Sequence, residues 1–229
     1  MASASIVEIF RSIQGEGKYV GVCQVFVRFA GCNLNCVWCD TKSAAVIPRT
    51  EASQSVAEVF KQIVSLWEGC HSVSLTGGEP LLQPSAVRKL GEMIHQSGRK
   101  VFLETNGTLP QALAEVLPAV DIVSMDIKLP TSTGEKSYWA EHEEFLRIAA
   151  EKDVYAKVVV TPSTAFEEVA QAAQLVASVD PGIVLVIQPQ GQSLAGDSIE
   201  KYESFARLSS KYLRDARVIP QMHKLLQIR

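Results

Sequence analysis

Short runs of β-branched and apolar residues alternate along the chain with longer segments in which apolar residues recur at helical spacing. The short runs predict six strands, at 25–29, 72–76, 100–104, 121–126, 154–161 and 183–188. The longer segments predict helices at 54–67, 84–97, 110–117, 139–150, 164–178 and 197–214. In the first of these helices Val56, Val59 and Ile63 fall on one face, as expected of a helix that covers a sheet.

The order of these elements constrains the fold. Six successive strand–helix units predict an α/β fold with parallel strands joined by right-handed crossovers. Such a sheet either curls into an open barrel or stays doubly wound, because six units are too few for a closed eight-stranded barrel. The sequence contains no linker or low-complexity tract, so we expect a single domain over 1–229. The stretch before residue 25 is interpreted as a hairpin or loop packed beneath the first strand.

Polar and glycine-rich segments follow all six strands. In chain order they read GCNLNCVWCDT, TGGEP, TNGT, DIKLP, TPS and QPQG. Each lies just beyond the carboxyl end of its strand, which is the edge where parallel α/β folds and barrels bind their ligands. The convergence of six such loops predicts an active site at that edge.

Composition and charge exclude several classes of protein. Of the 229 residues, 47% are hydrophobic and 21% are charged, which is ordinary for a globular chain. The net charge of -3 gives no electrostatic reason to expect binding to nucleic acid or to an anionic membrane. No apolar run approaches the ~20 residues of a membrane span. Residues 1–17 do not resemble a secretory signal, so we expect a cytoplasmic protein without a membrane segment.

Three of the five cysteines, Cys32, Cys36 and Cys39, lie in the loop after the first strand. Soft thiolates select iron–sulfur clusters, zinc or Cu(I). A structural zinc site normally has four protein ligands, and here a fourth would have to come from a distant residue. The candidates are Cys70, His71 and His223. Three thiolates on a [4Fe–4S] cluster would instead leave one iron open to a small molecule. The other two cysteines, Cys23 and Cys70, are interpreted as structural.

The CxxxCxxC spacing, with Trp38 directly before the last cysteine, resembles the motif of the radical S-adenosylmethionine (SAM) superfamily. The resemblance implies a partial, open (β/α)6 barrel with trimmed outer helices. It also implies that Cys32, Cys36 and Cys39 hold a [4Fe–4S] cluster whose open iron chelates SAM. One-electron cleavage of SAM then gives a 5′-deoxyadenosyl radical, so that the cofactors carry the chemistry.

Three later loops resemble the SAM contacts of that superfamily. In the TGGEP loop, the resemblance implies that Gly78 lets the backbone approach SAM and that Glu79 accepts a hydrogen bond from its ammonium group. Lys128 would pair with the SAM carboxylate, and Gln188 would meet the ribose or adenine. The full implied set is Gly78, Glu79, Asp126, Ile127, Lys128, Gln188, Pro189, Gln190 and Gly191.

The segments IFRSIQGEG, VRFAGCNL and PQMHK closely resemble the 7-carboxy-7-deazaguanine synthase family of the queuosine, or 7-deazapurine, pathway. That family converts 6-carboxy-5,6,7,8-tetrahydropterin to 7-carboxy-7-deazaguanine with loss of ammonia, which is a carbon–nitrogen lyase reaction. The radical removes the hydrogen on C6, the ring contracts and SAM is regenerated, with help from a magnesium ion.

The second resemblance assigns roles to residues of the expected site. Arg28 offers a bidentate partner for the substrate carboxylate, and Glu16 or nearby backbone carbonyls would accept the N–H donors of the pterin edge. The implied catalytic residues are Glu16, Glu104 and His223. The implied substrate-binding residues are Ile13, Gln14, Gly15, Arg28, Thr76 and Arg229, the last through its carboxylate.

Two adjacent residues compete for magnesium. By charge, Asp40 looks like the natural ligand, whereas the family pattern implies the hydroxyl of Thr41, with Asp40 in support. Either choice suits an ion that retains several waters and takes few protein ligands besides its substrate.

Two other functions share some of these features. An activating enzyme for a glycyl-radical protein has the same cysteine motif, but the IQGEG stretch and Arg28 favour a small carboxylated substrate. A non-catalytic zinc or iron–sulfur module would not need six loops of this kind at one edge. The family resemblance further implies a homodimer and a flavodoxin or ferredoxin as electron donor.

Overall fold

Nine strands form one sheet in the computed structural model, which describes residues 2–45, 53–191 and 197–228. The strands are β1 (Ser3–Ile13), β2 (Cys23–Phe29), β3 (Ser53–Ser55), β4 (Ser72–Gly77), β5 (Lys100–Thr105), β6 (Ile122–Asp126), β7 (Asp153–Val160), β8 (Leu185–Pro189) and β9 (Ala216–Val218). The helices are α1 (Lys42–Ala45), α2 (Val56–Leu66), α3 (Pro84–Gln96), α4 (Pro110–Val116), α5 (Pro130–Thr133), α6 (Trp139–Ala149), α7 (Phe166–Val179), α8 (Asp197–Ser209) and α9 (Met222–Leu226).

The order of strands across the sheet is β3-β1-β2-β4-β5-β6-β7-β8-β9. Neighbouring strands from β2 to β9 pair in parallel, whereas β1 pairs antiparallel with both β2 and β3. Within the described ranges β3 and β9 do not pair with each other, so the sheet stays open. The predicted α/β class and partial, open barrel are therefore confirmed.

The two faces of the strands carry different side chains, because successive residues of a strand point to opposite sides. Val101 and Leu103 of β5 belong to the large apolar core that the helices cover. Phe102, between them, points to the barrel interior and packs in a second apolar cluster that includes Tyr155. This cluster fills one end of the interior and leaves the other end for polar groups.

The helix α2 shows how the sequence defines an outer element. Its predicted apolar face is buried through Val56, Val59 and Ile63. The helix begins at a capping box in which Ser55 Oγ accepts a hydrogen bond from Glu58 N at 3.3 Å and Ser55 N donates to Glu58 Oε2 at 3.0 Å. Local capping and burial of one face together fix where the helix starts.

The six predicted strands correspond to β2, β4, β5, β6, β7 and β8, but the structure differs from the prediction near both chain ends. The N-terminal segment does form a hairpin, but its first arm is the long strand β1, which was not predicted and pairs beside β2 rather than beneath it. Phe10 of β1 stacks on Phe26 of β2 with ring centroids 5.2 Å apart. The alternation along β1 is weak because most of its side chains are partly exposed. The helix predicted over 197–214 ends at Ser209, after which β9 pairs with β8.

Of the helices in the described residues, none combines the length and the apolar character needed to cross a bilayer.

Candidate active site

A cavity of about 430 Å³ lies at the carboxyl ends of the parallel strands. Its wall includes the cysteine loop after β2, the loops after β4, β5 and β6, and inward-facing side chains of β7 and β8. One side of the wall is completed by residues 13–16, at the end of β1 and just after it, and by residues around α9. The cavity therefore occupies the edge of the sheet at which the sequence predicted a site.

The three motif cysteines all contribute to the cavity wall as free thiols. The loop that carries them turns tightly, since Leu34 N donates to Cys32 Sγ at 3.4 Å and Cys39 N donates to Cys36 O at 3.1 Å. Burial raises the pKa of the Cys36 thiol to about 11, although the nearby Lys128 cation opposes the shift. Binding of a metal cluster would replace these thiol protons, because thiolates are the ligands.

The glycines of the TGGEP loop are needed where this loop meets the cysteine loop. A Cβ on Gly78 would stand 2.1 Å from Gly31 O, and one on Gly77, whose φ is +136°, would stand 2.2 Å from Phe29 O. Glu79 N also donates to Gly31 O at 2.7 Å. Any side chain at Gly77 or Gly78 would therefore separate two loops of the cavity wall.

Glu79 occupies a different place from the one the sequence suggested. Its side chain is fully buried and is not part of the cavity wall. Its carboxylate accepts hydrogen bonds from Leu81 N at 3.0 Å, from Thr105 Oγ1 at 2.9 Å and from Asn106 N at 2.7 Å. Burial raises the pKa of this carboxyl group, although the three hydrogen bonds oppose the shift. In this arrangement Glu79 joins the loops after β4 and β5 instead of facing a ligand.

The end of β6 presents a charged pair to the cavity. Lys128 Nζ lies 2.8 Å from Asp126 Oδ2 and 5.0 Å from the centre of the Trp38 ring. Burial lowers the pKa of Lys128, but the charges of Asp126 and Cys36 and the hydrogen bond to Asp126 together outweigh it, so the net shift is upward. Lys128 is thus a retained cation beside the cysteine loop.

Polar atoms on the same side of the cavity suit a polar ligand. Asp126 Oδ1 and both amide atoms of Gln188 are buried and form no well-aligned hydrogen bond within the described ranges. Buried polar atoms are normally paired, so these three atoms mark a place where a polar ligand would complete the bonding. Together with three thiols in one loop, they fit a [4Fe–4S] cluster and SAM.

Several residues of the implied SAM set lie away from the cavity wall. Ile127 is buried in the large apolar core, and the wall does not include Pro189, Gln190 or Gly191. Gly191 N instead donates to Gln221 Oε1 at 3.0 Å. The side chains of these residues therefore do not line the cavity. Arg229, which the sequence assigned to the substrate, lies outside the described residues.

The QGEG segment after β1 packs between two aromatic residues. Gly15 O accepts a hydrogen bond from Met222 N at 2.9 Å, and a Cβ on Gly15 would stand 2.6 Å from His223 Cβ. Gly17 has a φ of +68°, and a Cβ there would stand 2.1 Å from Tyr155 Oη. The two glycines hold Glu16 between His223 and the barrel interior.

Glu104 is anchored on the floor of the cavity by three side-chain donors. Gln14 Nε2 donates to its Oε1 at 2.7 Å, Ser74 Oγ to its Oε1 at 3.2 Å and Thr76 Oγ1 to its Oε2 at 2.8 Å. A carboxylate held in this way has a fixed direction. This part of the wall contains four of the predicted substrate-binding or catalytic residues: Gln14, Thr76, Glu104 and the neighbouring Arg28.

Arg28 combines two contacts that orient its guanidinium. Its Nε lies 2.8 Å from Glu8 Oε1, and its guanidinium carbon lies 5.7 Å from the centre of the Phe10 ring. Both partners belong to β1, so the strand that the sequence interpretation did not recognise supports the predicted carboxylate-binding residue.

Glu16, Asp40 and His223 approach one another at the mouth of the cavity. One possible ligand atom from each lies within 4.8 Å of the others. Thr41 also lines the wall, with its Oγ1 3.9 Å from Cys39 Sγ. Lys224 Nζ lies 3.5 Å from Asp40 Oδ2. The structure therefore brings both magnesium candidates, Asp40 and Thr41, to the same cavity.

Sequence interpretation missed other residues of the wall. The most informative is Lys157, which was included in a predicted strand without a role although it is the only charged residue between 154 and 161. A lysine in the middle of a buried strand is rare unless it is paired, and that is the signal which could have found it. Gln221 also lines the wall, although the sequence predicted no role for it within the PQMHK segment.

The two remaining cysteines lie at the other end of the barrel. Cys23 Sγ and Cys70 Sγ are 3.3 Å apart, and Arg11 Nε donates to Cys23 Sγ at 3.2 Å. Neither residue belongs to the cavity wall. They provide no ligand to a group held by the cysteine loop.

Comparisons with known proteins agree with this geometry. The model of the radical SAM superfamily matches residues 26–176. The 7-carboxy-7-deazaguanine synthase of Geobacter sulfurreducens is 35% identical, over 97% of this chain and 97% of that protein. The enzyme of the same name from Methanothermobacter thermautotrophicus is 36% identical, over 99% and 98% of the two chains.

Solved structures share the fold. The crystal structure of QueE from Escherichia coli has a TM-score of 0.66 with 21% identity, and the match covers 94% of each chain. Streptococcus suis SuiB bound to S-adenosylmethionine has a TM-score of 0.55 with 15% identity, over 83% of this chain and 48% of that one. With the cysteine loop, the open parallel sheet and full-length relatives in agreement, the chain belongs to the 7-carboxy-7-deazaguanine synthase family of the radical SAM superfamily.

Proposed function

We propose that the protein converts 6-carboxy-5,6,7,8-tetrahydropterin to 7-carboxy-7-deazaguanine and ammonia, as a carbon–nitrogen lyase of queuosine or 7-deazapurine biosynthesis. The observation that carries the proposal is the placement of a cation and two anchored carboxylates opposite the cysteine loop. Arg28, Glu104 and Glu16 line one cavity of about 430 Å³ with Cys32, Cys36 and Cys39. A small acidic heterocycle with several N–H donors matches this set.

The side of the cavity near β6 would hold the cofactors. Cys32, Cys36 and Cys39 would supply thiolates to a [4Fe–4S] cluster, while Asp126, whose Oδ1 has no hydrogen bond within the described residues, and Gln188 would offer polar atoms to SAM. When bound, the cluster and SAM supply hydrogen-atom abstraction from the substrate. Lys128, held at 2.8 Å from Asp126, would offer a positive charge to the carboxylate of SAM.

The opposite side would bind the pterin. Arg28 binds the substrate carboxylate through its guanidinium, which Glu8 and Phe10 hold in place. Glu104 and Glu16 accept N–H donors from the heterocycle, and the backbone at residues 13–15 extends the same edge. His223 packs against Gly15 and closes the wall behind Glu16.

Thr41 is the proposed protein ligand of magnesium. Its hydroxyl lies on the cavity wall next to the last cysteine of the cluster loop. Asp40 approaches two basic side chains, with Oδ2 3.5 Å from Lys224 Nζ and 3.9 Å from His223 Nε2. These contacts support Asp40 as a group that orients the neighbouring loop, with the substrate and water filling the remaining positions of the ion.

The geometry does not favour the alternatives. A glycyl-radical activating enzyme must admit a polypeptide, whereas residues 13–16 and 221–224 wall one side of a cavity of about 430 Å³, which suits a small molecule. A zinc module needs a fourth close ligand. Of the three sequence candidates, Cys70 and His71 are not part of the cavity wall. Among the described residues, the third candidate, His223, groups with Glu16 and Asp40 rather than with the cysteines. The implied homodimer and the flavodoxin or ferredoxin donor stay predictions, testable by light scattering and by turnover with each purified donor.

Anaerobic incubation of the reconstituted protein with SAM, a reductant and 6-carboxy-5,6,7,8-tetrahydropterin tests the proposal. Mass spectrometry should show 7-carboxy-7-deazaguanine and an equal amount of ammonia. The matched control is Cys36→Ala, which should form neither product. Cleavage of SAM without any deazaguanine, in protein with full iron content, would show that the substrate is wrong while the superfamily assignment holds.

A further inference from the structure

Lys157 is the one charged residue in the stretch 154–160 of β7, which is otherwise largely apolar. Its neighbours on β7, Ala156 and Val158, are fully buried in the outer core. Lys157 points the other way, into the barrel interior, where it lines the cavity with its side chain 12% exposed. Burial of an ammonium group is costly unless it is paired, so its partners indicate what it does.

The main partner of Lys157 is Glu16. Lys157 Nζ forms a short hydrogen-bonded ion pair with Glu16 Oε2. The second oxygen, Glu16 Oε1, accepts from Gln221 Nε2 at 2.8 Å. Both oxygens of Glu16 are thus held by donors that come from elements far apart in the sequence, and the carboxylate has one direction.

A second carboxylate links Lys157 to the cofactor side. Asp126 Oδ2 lies 3.8 Å from Lys157 Nζ and 2.8 Å from Lys128 Nζ. Four charges of alternating sign therefore cross the cavity, from the loop after β1 to the loop after β6. Their order is Glu16, Lys157, Asp126 and Lys128.

We propose that Lys157 is a positioning residue that keeps Glu16 anionic and directed at the N–H edge of a reduced pterin. This rests on the proposed function, in which Glu16 accepts donors from that substrate. The proposal assigns a role to a residue outside the cysteine motif and the SAM loops.

The electrostatics agree with this role. Burial by itself raises the pKa of Glu16, but the charge and the hydrogen bond of Lys157 hold it well below its usual range. The Glu16 charge in turn raises the pKa of Lys157 against the effect of burial. The other titratable groups that face this pair are Asp126 at the end of β6, Lys128 after β6, Glu104 on β5, Tyr155 on β7, His223 on α9 and Asp40 in the cysteine loop.

Without Lys157, Glu16 would keep its buried site but lose its principal counter-charge. The pKa of the carboxyl group would then rise, because burial favours the protonated form and the charge that opposes this effect is gone. The O–H of a protonated carboxyl group is a donor, and it would face an N–H donor of the pterin. The substrate would therefore lose a hydrogen-bond acceptor. Affinity should therefore depend on pH in the variant: weak at low pH, and recovering as pH rises through the raised pKa of Glu16.

The test compares Lys157→Met with Lys18→Met. Lys18 also forms a close ion pair, with Asp153 Oδ1 at 2.7 Å, but outside this cavity. In reconstituted enzyme, Lys157→Met should weaken binding of 6-carboxy-5,6,7,8-tetrahydropterin by about tenfold or more at neutral pH, the loss expected when a hydrogen bond to a charged acceptor is removed. Iron content should be unchanged and SAM affinity should fall less than pterin affinity. Lys18→Met should leave both affinities as in the wild type.

Two further variants keep the proposal open to refutation if Lys157→Met folds poorly. Lys157→Arg retains the charge, so it should restore most of the affinity and remove the pH dependence. In a Glu16→Gln background the buried carboxylate is gone, so adding Lys157→Met should not lower pterin affinity any further.

Three outcomes would overturn the proposal. The first is a Lys157→Met enzyme with only a lower Tm and normal pterin affinity. The second is an equal loss of SAM and pterin affinity. The third is a further tenfold loss on adding Lys157→Met to Glu16→Gln. If the wild type itself binds no pterin, the proposed function fails instead, and the two failures are distinguishable.

Discussion

Gly15 lies against His223 so closely that a Cβ on Gly15 would stand 2.6 Å from His223 Cβ and 2.7 Å from Nδ1. This contact joins the loop after β1 to α9, and both segments line the cavity. A methyl group cannot fit without moving one of them, because the wall on that side is formed by the contact itself.

Gly15→Ala should therefore weaken pterin binding by about tenfold or more while iron content stays normal. The matched control is Gly98→Ala. Gly98 has a φ of +70° with nothing within 4 Å of an added Cβ, so this change should lower Tm through backbone strain and leave binding unaffected. Calorimetric titration of both reconstituted variants gives the comparison. Normal pterin binding by Gly15→Ala would show that the contact is dispensable.

Replacement of Cys32, Cys36 or Cys39 by alanine should abolish cluster assembly and SAM cleavage, since each change removes a thiolate ligand. Cys70→Ala should keep full iron content, because Cys70 contacts Cys23 away from the cavity. Iron analysis and absorbance near 400 nm, a wavelength typical of iron–sulfur clusters, measure both effects. Loss of iron in Cys70→Ala with retention in Cys36→Ala would reverse the assignment.

Arg28→Ala should weaken pterin binding by about 2–4 kcal/mol, because the substrate carboxylate would be desolvated without its cation. SAM affinity should change little, since Asp126 and Gln188, the groups proposed to contact SAM, lie on other strands. Glu8→Gln is the control for orientation. It keeps Arg28 but removes the charge 2.8 Å from its Nε. Glu8→Gln should therefore weaken pterin binding by less than Arg28→Ala does. An equal loss of SAM and pterin affinity in Arg28→Ala would indicate misfolding instead.

Thr41→Ala should raise the magnesium concentration needed for turnover and leave the cluster intact. Because substrate oxygens and water remain as ligands, excess magnesium should restore part of the activity. Asp40→Asn should also impair turnover, by weakening the contacts that orient the loop. In a structure with substrate and ion, Thr41 Oγ1 at about 2.1 Å from magnesium supports the proposal. A directly bound Asp40 carboxylate with Thr41 turned away would contradict it.

His142 gives a prediction about stability. It is fully buried beneath the loops after β5 and β6, with Nε2 3.2 Å from Asn106 O, and burial lowers its pKa to about 4. The unfolded chain binds a proton on this residue at a higher pH than the folded chain does. The contribution of His142 to stability therefore falls as the pH drops from about 7 towards 5. Tm of the wild type should decrease over that range by more than that of His142→Gln. Parallel curves for the two proteins would show that His142 does not contribute.

Sequence reasoning located the cavity well because its strongest signals are local. The spacing of Cys32, Cys36 and Cys39, and the loops that end parallel strands, need no knowledge of tertiary contacts. The role of Glu79, by contrast, could not be predicted from local sequence. A carboxylate beside two glycines can face a ligand or brace a neighbouring loop, and only the donors from Thr105 and Asn106 show that it braces.

Lys157 and β1 were missed for different reasons. The apolar run around Lys157 predicts a strand correctly, yet the role of its one charge depends on Glu16, which lies 141 positions away. In β1, half-buried side chains weaken the alternation of apolar and polar residues that identifies a strand.

The bond between Gln221 Nε2 and Glu16 Oε1 spans 205 positions, although it is only 2.8 Å long. Contacts of such long range form late in folding, because much of the intervening chain must be ordered before the two segments can meet. The cysteine loop, by contrast, brings its three thiols together within eight residues. During synthesis, the three cysteines of the cluster loop are therefore made long before the pterin-binding wall exists. A newly made chain should carry all of its cluster ligands at a stage when it cannot yet hold its substrate.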